Sequence, residues 1–162
     1  MVLDNPRHWV EALQTLFHFH QSSRHVHGDI KPGNLLAKHL DGADGEVEVV
    51  ISDLEGAQPT GSPVTSVLST MGYMPLSILT KYLEEQKQAG VANSLLRSVS
   101  PIVWDTAVDY WSFGVMVLKK FCPIYTRSKF RVVEVVAEVK EAMKKGPDEA
   151  LQALDRLREI YA

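Results

Sequence analysis

The stretch His25-Val-His-Gly-Asp-Ile-Lys-Pro-Gly-Asn34 decides how this chain is read. Its glycines, proline and polar residues make it a loop. Just downstream, Leu35, Leu36 and Ala37 begin a short strand, and Asp41-Gly-Ala-Asp-Gly45 is a turn. Val47, Val49 and Ile51 then alternate with Glu46, Glu48 and Val50, which predicts a β-hairpin closed by a loop of several residues. A hairpin returns its two ends to one place, so Asp53 just after it can approach Asn34 just before it. Upstream, Asp4 or Asn5 can cap a helix that has Pro6 at its first position. Trp9, Leu13, Leu16, Phe17 and His20 recur at helical spacing as one apolar stripe, and the helix is expected to end near Ser22–Ser23.

Farther out, residues 52–75 hold Gly, Pro, Ser and Thr without apolar periodicity and read as one long surface loop. Ser77 to Gln88 is a short helix in this reading, followed by a polar linker around Gln88–Ser100. From Trp104 to Phe121, Val108, Trp111, Val115 and Leu118 mark one face, while Phe113, Met116 and Val117 fill the others. A helix apolar nearly all round is expected to be a buried central one. Val132, Val136, Val139 and Met143 form the stripe of a further helix, Gly146-Pro147 breaks the chain, and Leu151, Leu154, Leu157 and Tyr161 form the stripe of the last. Asp148 and Glu149 in its first turn and Arg156 and Arg158 in its last suit the helix dipole. The expected fold is mainly α with a small β-hairpin, in a single domain.

Composition narrows the classes. A chain of 162 residues with 45% hydrophobic and 23% charged residues is one globular domain that needs no disulfide or metal to hold it. Seventeen basic against twenty acidic residues, a net charge of −3, argue against a nucleic-acid binder held by phosphate neutralisation. The lone Cys122 excludes an internal disulfide framework and a CxxC site, and reads as a small core residue. No apolar run approaches the ~20 residues of a membrane span. The N-terminus carries charge where a signal peptide needs an apolar segment. A soluble, intracellular domain is the expectation.

The chemistry sits where the two loops around the hairpin meet. The Asp53 carboxylate and the Asn34 amide oxygen are hard ligands suited to a Mg²⁺ that also holds substrate phosphates. Lys31 can direct its charge at a phosphate, and Asp29 is the candidate to orient or deprotonate a hydroxyl. Phosphoryl transfer needs these parts, because its catalysis is mostly positioning and charge neutralisation. The bland reading of the same residues is structural, since loop Asp and Asn side chains commonly hydrogen-bond local backbone. Ser62, Thr65, Ser66, Ser69 and Thr70 read as ordinary loop residues, open to phosphorylation.

On these motifs the chain resembles the protein kinase superfamily. Residues 25–34 look like the catalytic loop and residues 52–56, opening Ser52-Asp53-Leu54-Glu55, like the metal-binding Asp motif. Residues 56–75, ending Gly72-Tyr73-Met74-Pro75, are similar to an activation-type loop. An insertion is expected at about 81–100, and Asp109-Tyr-Trp-Ser-Phe-Gly114 resembles the start of the central buried helix at 104–121, with C-terminal helices over 128–161. The resemblance implies a protein-kinase-like C-lobe lacking the N-lobe. In it Asp29 is the catalytic base, Lys31 the phosphate-contacting lysine, Asn34 and Asp53 the Mg²⁺ ligands for ATP, and Asp109 a tether for the catalytic-loop backbone. The chain departs from the family at Gly28, where an Arg commonly reads a phosphorylated loop, at Glu55 in place of a flexible glycine, and at Leu76 in place of a glutamate. The first half is also similar to aminoglycoside and choline kinases, but Lys31, the Tyr73-Met-Pro75 segment and the Asp109–Gly114 pattern favour the protein-kinase-like reading.

A glycine-rich loop, a strand lysine and its helix glutamate are expected upstream of such a catalytic loop. The 26 residues before His27 read as a single helix, and no Gly-x-Gly-x-x-Gly occurs in the chain. The resemblance therefore implies a pseudokinase-like module that is inactive alone. It would act in binding, scaffolding or regulation through a protein partner or self-association over the face an N-lobe covers in kinases. The alternative is a Ser/Thr kinase using Mg²⁺ and ATP once a partner completes the site.

Overall fold

The computed structural model describes residues 5–39, 47–64, 69–91, 102–122 and 132–161. Helix α1, Pro6–Ser23, begins where Asn5 accepts a hydrogen bond from the Arg7 amide at 3.0 Å, with Pro6 in its first turn. It ends at Arg24, which turns left-handed (φ 58°) and donates its N–H to the His20 carbonyl. The buried face is Trp9, Ala12, Leu16 and His20, whereas Leu13 and Phe17, expected in the stripe, are exposed together with Val10. Ala12 is fully buried, in the core cluster that joins α1 to the hairpin.

That hairpin is β2, Leu35–His39, paired antiparallel with β3, Val47–Ile51, in a register that sets Leu35 against Ile51 and Leu36 against Val50. Leu35, Val47 and Val49 are buried, and Leu36 and Val50 are exposed across the other face. α1 packs on β3 and also completes its hydrogen bonding. The Val49 N–H donates to Glu11 Oε1 (3.0 Å) and the Val49 carbonyl accepts from Thr15 Oγ1 (3.1 Å). Backbone groups of a strand edge that would otherwise need water are thereby paired.

Residues 52–75 are not one irregular loop. β4, Gln58–Pro59, pairs antiparallel with β1, His25–Val26, and β5, Pro63–Val64, pairs with β6, Ile102–Val103. Two-residue strands are too short for alternation to show in sequence, and their register is set by distant partners. Helix α2, Leu76–Val91, starts directly after Pro75 and continues past Gln88, so the first part of the expected insertion at 81–100 is helical. The linker expected from Gln88 thus begins inside this helix, and the rest of it, the rest of the insertion and residues 128–131 lie outside the described residues.

Helix α3, Thr106–Phe121, is capped by Asp105, whose side chain accepts from the Ala107 amide at 2.7 Å. It is less buried than its apolar content implies. Trp111, Leu118 and Phe121 are about half exposed, while the polar Asp109 and Ser112 are inside. Helices α4, Val132–Lys145, and α5, Pro147–Tyr161, pack on each other, and α5 also packs on α2. Val139, Ala150, Ala153 and Leu154 form the buried contact, and the ion pairs Lys87–Asp148 and Arg156–Glu138 bridge it at the surface. Cys122, just past α3, is only partly buried.

Among the described residues, buried side chains form two clusters. One joins Val26, Trp104, Ile102 and Val108 to α2, α4 and α5, and the other joins α1 and the hairpin to Ile30, Phe113 and Met116. α3 contributes to both. The protein is mainly helical, with small antiparallel sheets of two strands. Among the described residues, no helix is long and apolar enough to cross a membrane.

Candidate functional site

The loop His25–Asn34 is pinned at two points. Val26 belongs to the first core and Ile30 to the second, both fully buried. His27, Gly28 and Asp29 must cross between them, and α3 fixes that crossing. Asp109, itself fully buried, accepts the His27 N–H at Oδ2 (2.7 Å) and the Gly28 N–H at Oδ1 (2.8 Å), and His20 Nε2 donates to Oδ2 at 2.8 Å. A buried carboxylate is tolerated when donors surround it, and here it has three.

His27 is also inside the protein. Its Nε2–H donates to the Ser52 carbonyl at 2.8 Å and its Nδ1 accepts from the Asp29 N–H at 3.2 Å, a pattern that only the neutral Nε2-protonated ring satisfies. The imidazole thus ties the His25–Asn34 loop to the residue that follows β3. Ser52 adds a second tie, with its N–H on the Asn34 carbonyl at 2.9 Å.

Gly28 has φ +80°, in the left-handed region, and a side chain there would run into the Trp104 ring. Trp104 is 2% exposed, so its ring cannot move aside into solvent. A side chain as large as arginine therefore has no room at position 28.

Asp29 is the centre of the polar cluster. Lys31 Nζ lies 2.5 Å from Oδ2, the Thr70 amide donates to Oδ1 at 2.6 Å, and Asn34 Nδ2 donates to the Asp29 carbonyl at 2.9 Å and more weakly to Oδ2 at 3.4 Å. Lys31 also donates to Thr70 Oγ1 at 3.2 Å. Partial burial opposes the Asp29 charge. The hydrogen bonds from Lys31 and from the Thr70 side chain and amide, with the Lys31 charge, outweigh it and hold the carboxyl below its ordinary pKa.

Lys31, Asn34 and Asp29 are thus in one network. Asp53 is beside it by chain connection and not by a side-chain bond. It sits in the left-handed conformation (φ 64°, ψ 54°) with its side chain exposed, at the start of a short turn over Leu54–Gly56. A non-glycine residue in this region carries strain, which clusters at functional positions. Because Asn34 Nδ2 is committed to Asp29, Asn34 Oδ1 and the exposed Asp53 carboxylate are the oxygen atoms that could hold a cation. Among the described residues, no group of three or more His, Cys, Asp or Glu gathers as a metal site.

Thr70 is the participant that the sequence pattern missed, since nothing local distinguishes it from its Ser and Thr neighbours. The short turn Met71–Tyr73 that follows is strapped to α3, where Ser112 Oγ donates to the Tyr73 carbonyl (2.8 Å) and Lys119 Nζ donates to the Gly72 carbonyl (3.0 Å). The Lys119 ammonium also lies 4.0 Å from the centroid of the Tyr73 ring. His20 and Trp104 were readable only as core residues, and their contacts with Asp109 and Gly28 cross large sequence separations.

No protein-family model matches the chain, and no curated protein matches it at a significant level.

Proposed function

We propose that the chain is the helical catalytic-type lobe of a protein-kinase-like fold, and that alone it binds a partner rather than turning over ATP. The observation that carries the reading is the Asp29 network. A carboxylate with Lys31 at 2.5 Å and Thr70 on its other oxygen is held ionised beside a cationic amine, on a loop fastened through Asp109. That arrangement suits orienting a hydroxyl while a phosphoryl group is transferred to it.

In this reading Asp29 receives the acceptor hydroxyl, Lys31 balances charge on the phosphoryl oxygens, and Asn34 and Asp53 would hold Mg²⁺. When bound, the ion supplies positive charge against the phosphates of ATP. The donor set fits, with one amide oxygen and one exposed carboxylate flanking the end of the hairpin. The chain holds no glycine-rich phosphate loop, so the nucleotide cover comes from outside these 162 residues. Leu36, Val50 and Leu54, 51%, 40% and 49% exposed, border the metal-ligand candidates, and an apolar surface of that kind favours a protein that covers it.

The test is incubation of the purified chain with Mg²⁺, labelled ATP and general Ser/Thr substrates. Background incorporation is expected. Robust turnover that Asp53→Ala abolishes would overturn the claim that the chain is inactive alone.

A further inference from the structure

The hairpin has two edges, and the protein treats them differently. The Ser52 N–H bonds the Asn34 carbonyl, so antiparallel alternation makes Leu36–Val50 the next pair that exchanges hydrogen bonds. Ala37–Val49, between them, is a pair that does not. The N–H and C=O of Val49 therefore point away from β2, and α1 meets both through Glu11 and Thr15. By the same alternation the N–H and C=O of Ala37 point away from β3, and those of His39 follow on the same side. Among the described residues, no strand pairs with β2 on that side and no group bonds the Ala37 backbone. Ala37 is only partly buried, so this edge is within reach of another chain. Leu36 and Lys38, on either side of it, are exposed on the outer face, opposite Val50 and Glu48.

We propose that the open edge of β2 takes one extended segment of a partner polypeptide as an added antiparallel strand, with an apolar residue beside Leu36 and an acidic residue beside Lys38. The inference rests on the partner-binding reading and names the form in which that partner is held. Strand addition satisfies the Ala37 N–H and C=O, and the side chains on the outer face choose the sequence. An apolar neighbour extends the exposed Leu36–Val50 pair. Glu48 flanks Lys38 from β3, and an acidic side chain on the added strand flanks it from the other side. A second copy of this chain does not fit those terms. Leu35–His39 contains no acidic residue, and two-fold pairing centred on Ala37 sets Lys38 against Leu36 of the copy. A lysine on an edge strand is one of the devices by which proteins resist such self-pairing.

The experiment is amide NMR of the whole chain titrated with a capped peptide containing Thr-Glu-Thr-Val-Thr, whose Glu and Val meet Lys38 and Leu36 in antiparallel pairing. Saturable shifts are expected at Leu36, Ala37 and Lys38, with slower exchange of the Ala37 amide. Methylating the backbone nitrogen of the central threonine removes the donor to the Ala37 carbonyl and should weaken binding about three- to tenfold. Replacing the peptide Glu by Lys should weaken it about two- to fivefold, with the gap narrowing as salt is added. Ala37→Pro removes the edge N–H without removing a hairpin hydrogen bond, and should weaken binding about as much as the methylated peptide does. If that variant does not fold, the methylated peptide on the unaltered chain decides the matter. The absence of saturable shifts on β2 would overturn the proposal, as would equal binding of the methylated peptide or of the Lys peptide. Shifts at Ala37 on concentrating the chain alone would make a second copy the occupant and overturn it too. Failure of the underlying reading registers elsewhere, as ATP turnover by the chain alone, and leaves the peptide result standing.

Discussion

The Trp104 ring occupies the space that any side chain at Gly28 would enter. Two residues far apart in sequence thereby exclude an arginine from the loop next to Asp29. Gly28 also has φ +80°, so the position is closed on both steric and backbone grounds. Gly28→Ala is expected to lower unfolding stability by about 2–4 kcal/mol, combining overpacking with a forbidden backbone region. Chemical denaturation measures this. Trp104→Ala in the same chain should relieve part of the Gly28→Ala cost, and additive losses would contradict the contact.

Asp109 carries the loop. Removing its carboxylate leaves the buried His27 and Gly28 amides without acceptors and His20 Nε2 without a partner. Asp109→Ala should cost about 3–5 kcal/mol, because each orphaned buried donor loses hydration without replacement. Amide hydrogen exchange at His27 and Gly28 should accelerate in any variant that still folds. Native exchange rates there would show that the tether is dispensable.

The Asp29 network has a pH signature with a definite sign. Its carboxyl is held below the ordinary aspartate value, so the folded state binds the proton more weakly than the unfolded chain does. The stabilisation is complete above the ordinary aspartate range, about pH 4, and is lost as pH falls through the lowered value. Asp29→Asn should therefore flatten part of the acid limb of stability against pH. An identical acid limb in both proteins would contradict the network.

Thr70 gives a graded check. Thr70→Val keeps the backbone donor to Asp29 Oδ1 and removes the hydroxyl near Lys31. The expected loss is about 0.5–1.5 kcal/mol, the net worth of a partly buried hydrogen bond, and well below that of Asp109→Ala. A loss as large as that of Asp109→Ala would mean that Thr70 has a structural role beyond these bonds.

What could be read from residues alone follows from how far each signal travels along the chain. The first helix, the hairpin and α3 were legible because caps, turns and periodicity are local. Their buried faces were less so: Leu13, Phe17, Trp111 and Leu118 are apolar yet exposed, and Ala12, Asp109 and Ser112 are inside. Burial is decided by which neighbour covers a helix, and no spacing rule encodes the neighbour. The paired strands at 25–26 with 58–59 and at 63–64 with 102–103 escaped because two residues have no period. In the site, Asp29, Lys31 and Asn34 lie within one short loop and were visible together. Thr70, His20 and Trp104 reach that loop only through tertiary contacts.

The central claim is that Asn34 and Asp53 form a divalent-metal site beside the Asp29 network, and Mn²⁺ titration followed by amide NMR tests it most directly. The account predicts paramagnetic broadening that begins at Asn34, Ser52 and Asp53 and is lost in Asn34→Ala and Asp53→Ala. Broadening centred elsewhere, or unchanged in both variants, would contradict it.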